Sequence, residues 1–303
     1  FISDGDPNSI SIQEKDASLI DKTALNSKMK IKIYREKSLF KEIKIISKIE
    51  KIKKLKIADK GVYYTFHSAG IKKKIDDLID NYKKTGFNTL VIDIKDVDGA
   101  IGVPLNIPLA KKIGACDRIF VEDLGKLIDR LHLSGIRVSA RIAVFKDRFL
   151  AKKRSDLALR SKSGALWREN DGINWVNPFS DEVCDYNLDI AQEAAKAGAD
   201  EVQFDYIRFP EKGHSDNIAT PKDVEKYIAI ENFLKQAYER LEPYNVSIAI
   251  DVFGVMAWER DRDISVIGQR VNEMAKYVFA VCPMLYPSHF DPGFNGHKNP
   301  ADE

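Results

Sequence analysis

From position 61 onward, the sequence alternates continuous apolar runs with segments whose apolar residues recur at helical spacing. This alternation predicts a parallel sheet with helices on both faces, because strands that are apolar throughout are buried on both sides. The six predicted strands span residues 61–66, 89–94, 137–145, 201–209, 246–253 and 277–285. The five predicted helices span residues 71–84, 121–133, 181–197, 222–241 and 265–275.

The lengths of the connections distinguish between two architectures for such a sheet. Helix-to-strand connections are short and carry a glycine near the helix end, whereas strand-to-helix connections are long, over residues 95–118, 146–180 and 210–221. Long loops at the carboxyl ends of parallel strands are typical of a (β/α)8 barrel with its site on that face. A doubly wound sheet is disfavoured, because residues 67–70 (HSAG) after the first strand do not form a G-x-G-x-x-G turn. We therefore predict a TIM barrel that lacks its last two β/α units, with an incomplete C-terminus.

The composition narrows the class of protein. The 303 residues are 44% hydrophobic and 31% charged, which is typical of a globular chain, and a net charge of +2 gives no indication of a nucleic-acid partner. The sequence has no run of eighteen apolar residues, so it predicts no transmembrane helix. Three cysteines without C-x-x-C spacing and five histidines without an H-E-x-x-H motif predict neither a disulfide framework nor a zinc site. We expect no metal and no cofactor.

Residues 1–60 differ in character from the rest of the chain. Residues 28–60 contain 13 Lys/Arg and 4 Asp/Glu, a net charge of +9. We predict a leader and basic linker over residues 1–60, partly disordered or forming an edge helix, ahead of a barrel domain over residues 61–303. Electrostatic contact of residues 28–60 with an anionic surface is the alternative.

Polar groups interrupt the predicted strands near their carboxyl ends. The ionisable or phenolic residues at these positions are Asp93, Lys95, Arg141, Asp205, Asp251 and Tyr286. A charge within an apolar run is costly unless it is paired or lies at the rim of the sheet. Any one of them could brace the barrel interior, but repetition on one face favours a functional site.

Asp205 is the strongest candidate among these residues. Side chains alternate along a strand, so Gln203 and Asp205 share one face, where Arg141 of the neighbouring strand could hold Asp205 in its ionised form. Asp251, flanked by apolar residues, would be desolvated, which raises the pKa of a carboxyl as a general acid requires. Two such carboxyl groups are the minimum needed for glycoside hydrolysis, with retention or inversion left open.

Aromatic residues in the predicted loops support a sugar substrate. Trp167 and Trp175 follow the third strand, Trp258 follows the fifth, and Tyr286 and His289 follow the sixth. Flat apolar faces flanked by hydrogen-bonding groups suit the faces and hydroxyls of sugar rings. The alternative for each tryptophan is packing within its loop.

Several sequence blocks together resemble one family. GVYYTFHSAG, TLVIDIKDVDG, WRENDGINWVNPFSDEVCDYN, DEVQFDYIRFP, IAIDVFG and CPMLYPSHF occur in this order from residue 61 to the end. They are similar to the glycosyl hydrolase-like domain family DUF4015, a TIM-barrel family distantly similar to α-amylase-like glycosidases. The resemblance implies an extracytoplasmic, carbohydrate-active enzyme whose barrel continues beyond this chain. It implies Asp205 as nucleophile and Asp251 as acid, although many related glycosidases have glutamate there.

From the residues and the resemblance together, we predict a set of substrate-binding side chains. They are His67, Asp93, Lys95, Arg141, Trp167, Trp175, Tyr206, Arg208, Tyr286 and His289.

Three alternatives to this two-carboxylate glycosidase remain open at the level of sequence. The first is a carbohydrate-binding barrel without catalysis. The second is a chitinase-like barrel, which would use residues 284–286 (MLY) but lacks the D-x-x-D-x-D-x-E run. The third is a divalent-metal hydrolase using Asp93, Asp96 and Asp205, since carboxylates without histidine suit magnesium or calcium.

Overall fold

The computed structural model describes residues 29–36, 39–48, 60–169, 172–211, 213, 215–286, 290 and 292–299. Contacts divide the chain into two compact units, one of Phe1–Ala58 with Pro243–Asn245 and one of Asp59–Glu242 with Val246–Glu303. The first 28 residues of the predicted leader and basic linker lie outside the described part. Within the described residues, no helix has both the length and the apolar character needed to cross a membrane.

Within the first unit, residues 29–36 and 39–48 form an antiparallel hairpin. Strand β1 (Met29–Glu36) pairs with strand β2 (Leu39–Lys48). The hairpin replaces the edge helix considered from the sequence. Its physical basis is the alternation of isoleucine with lysine in β1, since a period of two residues is a strand pattern.

The second unit contains six parallel strands in sequential order, curled into a half-barrel with alternating helices. This arrangement confirms the predicted fold class, a partial (β/α) TIM barrel. The strands are β3 (Gly61–Tyr64), β4 (Thr89–Lys95), β5 (Arg137–Ala143), β6 (Glu201–Asp205), β7 (Ser247–Phe253) and β8 (Ala280–Met284). The helices are α1 (Phe66–Ala69), α2 (Lys72–Thr85), α3 (Pro108–Ile113), α4 (Leu124–Leu133), α5 (Arg148–Lys153), α6 (Asp181–Lys196), α7 (Lys226–Leu241), α8 (Asp261–Ile267) and α9 (Val271–Met274).

The core lies between the sheet and its outer helices. Phe145 and Phe204 from the sheet side contact Phe233 of α7, with ring centroids 5.5 and 5.1 Å apart, and all three rings are fully buried. Fully burying each aromatic side chain stabilises the fold by roughly 1.5–3 kcal/mol. This packing fixes the strand ends, and with them the position of the loops that follow.

Two elements end earlier than the sequence pattern predicts. The strand predicted over residues 201–209 ends at Asp205, because Tyr206 has a left-handed backbone with φ of 49°. The helix predicted over residues 265–275 is two short helices, because Gly268 ends α8 in a left-handed conformation with φ of 75°. Apolar periodicity carries no information on either backbone break.

A bulge in β4 turns Lys95 away from the inside of the barrel. The register between β4 and β5 passes from Asp93 opposite Arg141 to Lys95 opposite Ile142, so the two β4 side chains project to opposite faces. The ammonium of Lys95 is 2.8 Å from a carboxylate oxygen of Asp147 and donates to Asn187 Oδ1 at 2.7 Å. Both members of this ion pair are fully buried, and Asp147 also caps α5 by accepting from Leu150 N at 2.7 Å.

Substitution of Lys95 by methionine tests whether the buried ion pair of Lys95 with Asp147 stabilises the fold. Lys95→Met leaves the Asp147 carboxylate buried without its cation, so we expect the free energy of unfolding to fall by about 3–5 kcal/mol in urea denaturation. The double variant Lys95→Met/Asp147→Asn should recover part of the loss, because asparagine keeps the helix cap without the charge. The exposed Lys152→Met is the control, with a change below about 0.5 kcal/mol. Wild-type stability of Lys95→Met would contradict a structural role for the pair.

Candidate active site

Four neighbouring strands bring charged and amide side chains to the carboxyl edge of the sheet. Asp93 of β4 lies opposite Arg141 of β5, which in turn lies opposite Gln203 of β6. Residues paired in a parallel sheet project to the same face, and Asp205 is two residues beyond Gln203 on that face. Asp251 joins them from β7, where the amide of Gln203 donates to its Oδ1 at 2.6 Å.

Arg141 connects two of the carboxylates. One guanidinium nitrogen donates to Asp93 Oδ1 at 2.6 Å, and the other donates to Asp205 Oδ2. Burial disfavours the charge of the guanidinium, but the two carboxylates outweigh this effect and raise the pKa of Arg141 above its ordinary value. Burial also raises the pKa of Asp93, against the opposing effect of Arg141. The three side chains form a charged bridge across β4, β5 and β6.

The backbone after β6 adds a second contact to Asp205. Tyr206 N donates to Asp205 Oδ1 at 2.6 Å, and Tyr206 is the residue in the left-handed conformation. A non-glycine residue there costs about 1–3 kcal/mol, and such residues cluster at functional sites. Both oxygens of Asp205 are therefore held in a defined orientation.

Tyr63 of β3 extends this bridge to a fourth strand, and sequence reasoning missed it. Its hydroxyl donates to Asp93 Oδ2, and the guanidinium of Arg141 lies 5.5 Å from its ring centroid. Burial and the bond to Asp93 raise the pKa of Tyr63, so the phenol keeps its proton. The ring is still 50% exposed, so it can also contact a ligand. The available signal was a tyrosine inside the first predicted strand, since polar groups of the other strands also lie within their apolar runs.

Asp251 differs from Asp205 in its electrostatic environment. It is 8% exposed, and burial together with the charge of Asp205 raises its pKa to about 7, against the effects of Gln203 and Arg141. The direction agrees with the expectation from its apolar neighbours. A carboxyl group with this pKa holds its proton in a large fraction of molecules near neutral pH. Asp251 can therefore donate a proton at a pH where ordinary carboxyl groups cannot.

Several residues predicted to bind substrate are buried instead. Lys95 is fully buried against Asp147, and Trp167 and Trp175 are 4% and 1% exposed within the loop after β5. Arg208 is also buried, with its guanidinium 4.3 Å from the ring centroid of Phe253. Each of these four side chains is enclosed by neighbouring residues, which does not favour direct contact with a substrate, and the four assignments stay predictions. Sequence position after a strand does not distinguish a loop's core from its surface.

The other predicted residues that the structure describes lie near the carboxyl ends of their strands. His67 of α1 is exposed, with its ring 4.0 Å from that of Phe120, and Tyr206 is partly exposed. Tyr286 comes two residues after β8 and is 57% exposed. His289 lies outside the described residues.

The donor geometry does not favour the metal alternative. Asp96 accepts from the backbone of Asp98 and Ala100 within its own loop, at 3.0 and 2.9 Å, and the guanidinium of Arg141 binds both Asp93 and Asp205. Across the part of the chain that the structure describes, no three His, Cys, Asp or Glu side chains form a group suited to a metal ion.

The raised pKa of Asp251 predicts a pH-dependent stability. Its pKa in the fold, about 7, is above the ordinary value of 3.8, so the unfolded chain releases this proton at lower pH. The contribution of Asp251 to stability is therefore present at low pH and is lost as the pH rises through about 7. Asp251→Asn mimics the protonated form, so its stability relative to wild type should increase by on the order of 2 kcal/mol between pH 5 and pH 8.

Urea denaturation at the two pH values measures this difference. The exposed Asp80→Asn of α2 is the matched control and should show the same difference from wild type at both. A pH-independent effect of Asp251→Asn would show that Asp251 is ionised throughout this range.

Solved structures resemble this chain over most of the barrel unit. A hypothetical protein from Ruminiclostridium thermocellum is 34% identical, with a TM-score of 0.57, over 63% of this chain and 97% of that chain. The PgaB (BpsB) glycoside hydrolase domain from Bordetella bronchiseptica is 14% identical, with a TM-score of 0.56, over 76% of this chain and 75% of that chain. At the lower identity the likeness concerns the fold alone.

Comparison with curated proteins gives no match. The family described as "DUF4015: Putative glycosyl hydrolase domain" matches residues 61–303, which include every strand of the half-barrel and the whole charged bridge. The chain belongs to the DUF4015 family of glycosyl hydrolase-like domains.

Proposed function

We propose that this protein is a glycoside hydrolase that cleaves a polysaccharide or cell-wall glycan, with Asp205 and Asp251 as its two catalytic carboxyl groups. The observation that carries the proposal is the difference between them on adjacent strands. Asp205 is salt-bridged to Arg141, whereas Asp251 is buried with a pKa raised to about 7. Two carboxyl groups in contrasting environments are the usual basis for assigning an acid and its partner.

In this mechanism Asp251 is the general acid. As the bond between the anomeric carbon and the glycosidic oxygen breaks, the proton of Asp251 passes to the leaving oxygen. Asp205 supplies an oxygen that attacks the anomeric carbon or removes a proton from the attacking water. Where Asp205 attacks, water then breaks the bond between Asp205 and the anomeric carbon, giving its hydroxyl to the sugar and a proton to the Asp251 carboxylate. Where Asp205 acts as base, the water hydroxyl joins the sugar directly, Asp205 releases its proton to solvent, and Asp251 takes one up. The net reaction is hydrolysis in both cases.

Arg141 and the residues bound to it hold Asp205 in position. The bridge from Tyr63 through Asp93 to Arg141 limits rotation of the guanidinium, which in turn orients one oxygen of Asp205. The Tyr206 amide orients the other. Such preorganisation avoids reorganisation during the reaction, which is a major source of rate enhancement.

Partly exposed rings and polar groups at the carboxyl edge are the candidates for sugar binding. The residues in this group are Tyr63, His67, Tyr206 and Tyr286. Their aromatic faces and hydrogen-bonding groups suit the two kinds of surface that a pyranose presents. A glycan of the cell envelope or the medium would place the protein outside the cytoplasm, where the +9 segment of residues 28–60 could contact an anionic surface.

Leaving-group dependence tests the two roles. Asp205→Asn should abolish turnover of every substrate, because no group remains to attack or to activate water. Asp251→Asn should reduce turnover of a natural glycan by about 10²–10⁴-fold, the usual contribution of a general acid. It should leave dinitrophenyl glycosides within about tenfold of wild type, since that leaving group needs no proton.

Purified protein assayed against polysaccharides and aryl glycosides provides the measurement, with Asp80→Asn as the matched surface control. Equal losses for good and poor leaving groups in Asp251→Asn would contradict its role as the acid. Glycan binding by wild type and by Asp205→Asn, without turnover by either, would instead identify a binding module.

A further inference from the structure

The sheet does not by itself fix the spacing of the two carboxyl groups. The register between β6 and β7 runs to Phe204 opposite Ile250, and Asp205 and Asp251 come one residue later. The left-handed Tyr206 then turns the chain out of the strand direction. Ladder hydrogen bonds therefore stop just before the residues whose separation matters most.

The amide of Gln269 replaces the ladder at this point. Its Nε2 donates to Asp251 O at 3.1 Å and to Ile207 O at 3.3 Å, and its Oε1 accepts from Phe253 N at 3.1 Å. The side chain is 0% exposed. A buried amide that bonds three backbone groups fixes their relative positions, because losing a bond would leave buried polar groups unsatisfied.

The break between α8 and α9 is what places Gln269 there. Gly268 ends α8 with φ of 75°, and a Cβ at this position would lie 3.1 Å from the Phe209 side chain and 3.2 Å from Lys226. Ile267 O also accepts from Phe209 N at 2.8 Å, which joins the same loop to the segment after β6. A continuous helix over these residues would not bring the amide between the two strand ends.

We propose that Gln269 is a positioning residue that sets the separation of Asp205 and Asp251 by tying the backbone of β7 to the segment that follows β6. The effect of this positioning on the rate of glycan hydrolysis rests on the proposed function. Glycosidases require a defined separation between their carboxyl groups, about 5–5.5 Å for retention and about 6.5–9.5 Å for inversion. A misplacement of about 1 Å can reduce the rate about 100-fold.

Gln269→Leu tests this role, because leucine fills a similar volume and forms no hydrogen bond. We expect kcat to fall about 100-fold while KM changes less than about threefold, since the substrate contacts remain. The pKa of the Asp251 carboxyl, measured by NMR on labelled protein, should fall from about 7 toward its ordinary value. The shift has this sign because a displaced carboxyl moves away from the charge of Asp205 and toward solvent.

Ile264→Ala in α8 is the matched control for destabilisation near Gln269. Ile264 is buried against Met256 and Ile267, so its truncation costs stability without touching the contacts of Gln269, and kcat and the pKa of Asp251 should stay at wild-type values. If Gln269→Leu does not fold, Gln269→Met gives the second measurement, because its unbranched side chain has a similar length, donates no hydrogen bond and adds no charge beside Asp251.

The inference is overturned if the Gln269 variant keeps the wild-type pKa of Asp251, or if Ile264→Ala shifts that pKa equally. Failure of the proposed function has a different signature. In that case no glycan is hydrolysed by any form of the protein, and the pKa difference between the two variants still decides the role of Gln269.

Discussion

The guanidinium of Arg141 between two carboxylates is the interaction on which the carboxyl edge of the barrel depends. Asp93 and Asp205 lie on the strands to either side of β5, and both are largely buried. Without the cation between them, two like charges would be desolvated on neighbouring elements, which is among the more costly arrangements in a fold. The two salt bridges of Arg141 therefore allow β4, β5 and β6 to carry charged side chains near their carboxyl ends, although the surrounding sheet is apolar.

The polar contacts at this edge form two hydrogen-bonded groups. Tyr63, Asp93, Arg141 and Asp205 form one across β3 to β6, and Gln203 and Asp251 form the other across β6 and β7. Five consecutive strands thus contribute side chains to one edge, and among these six residues the exposed aromatic side chain is Tyr63 of β3. Side chains held by two or more partners lose little further freedom when a ligand binds, which favours an active site over a flexible binding surface.

The repeating pattern of the sequence predicted the parallel half-barrel and the edge that carries the polar groups. Asp205, Asp251 and Arg141 could be predicted as site residues because a charge within an apolar run is costly to bury unless it is paired or functional. The buried positions of Trp167 and Trp175 could not, since loop packing depends on contacts between distant segments. The apolar periodicity also does not show where the backbone φ becomes positive, as it does at Tyr206 and Gly268. Those two φ angles determine where β6 ends and where Gln269 lies.

The bulge in β4 also decides which charges can neutralise each other. Asp93 and Lys95 are two residues apart, so a regular strand would project both from the same face and allow them to pair directly. Lysine would then compete with the guanidinium for the same carboxylate, and the barrel mouth would gain a positive charge. Because of the bulge, Lys95 projects from the opposite face of the sheet to Asp93 and forms its ion pair with Asp147 instead. The net charge at the carboxyl edge of the barrel therefore depends on the face from which each β4 residue projects, and not only on which charged residues β4 contains.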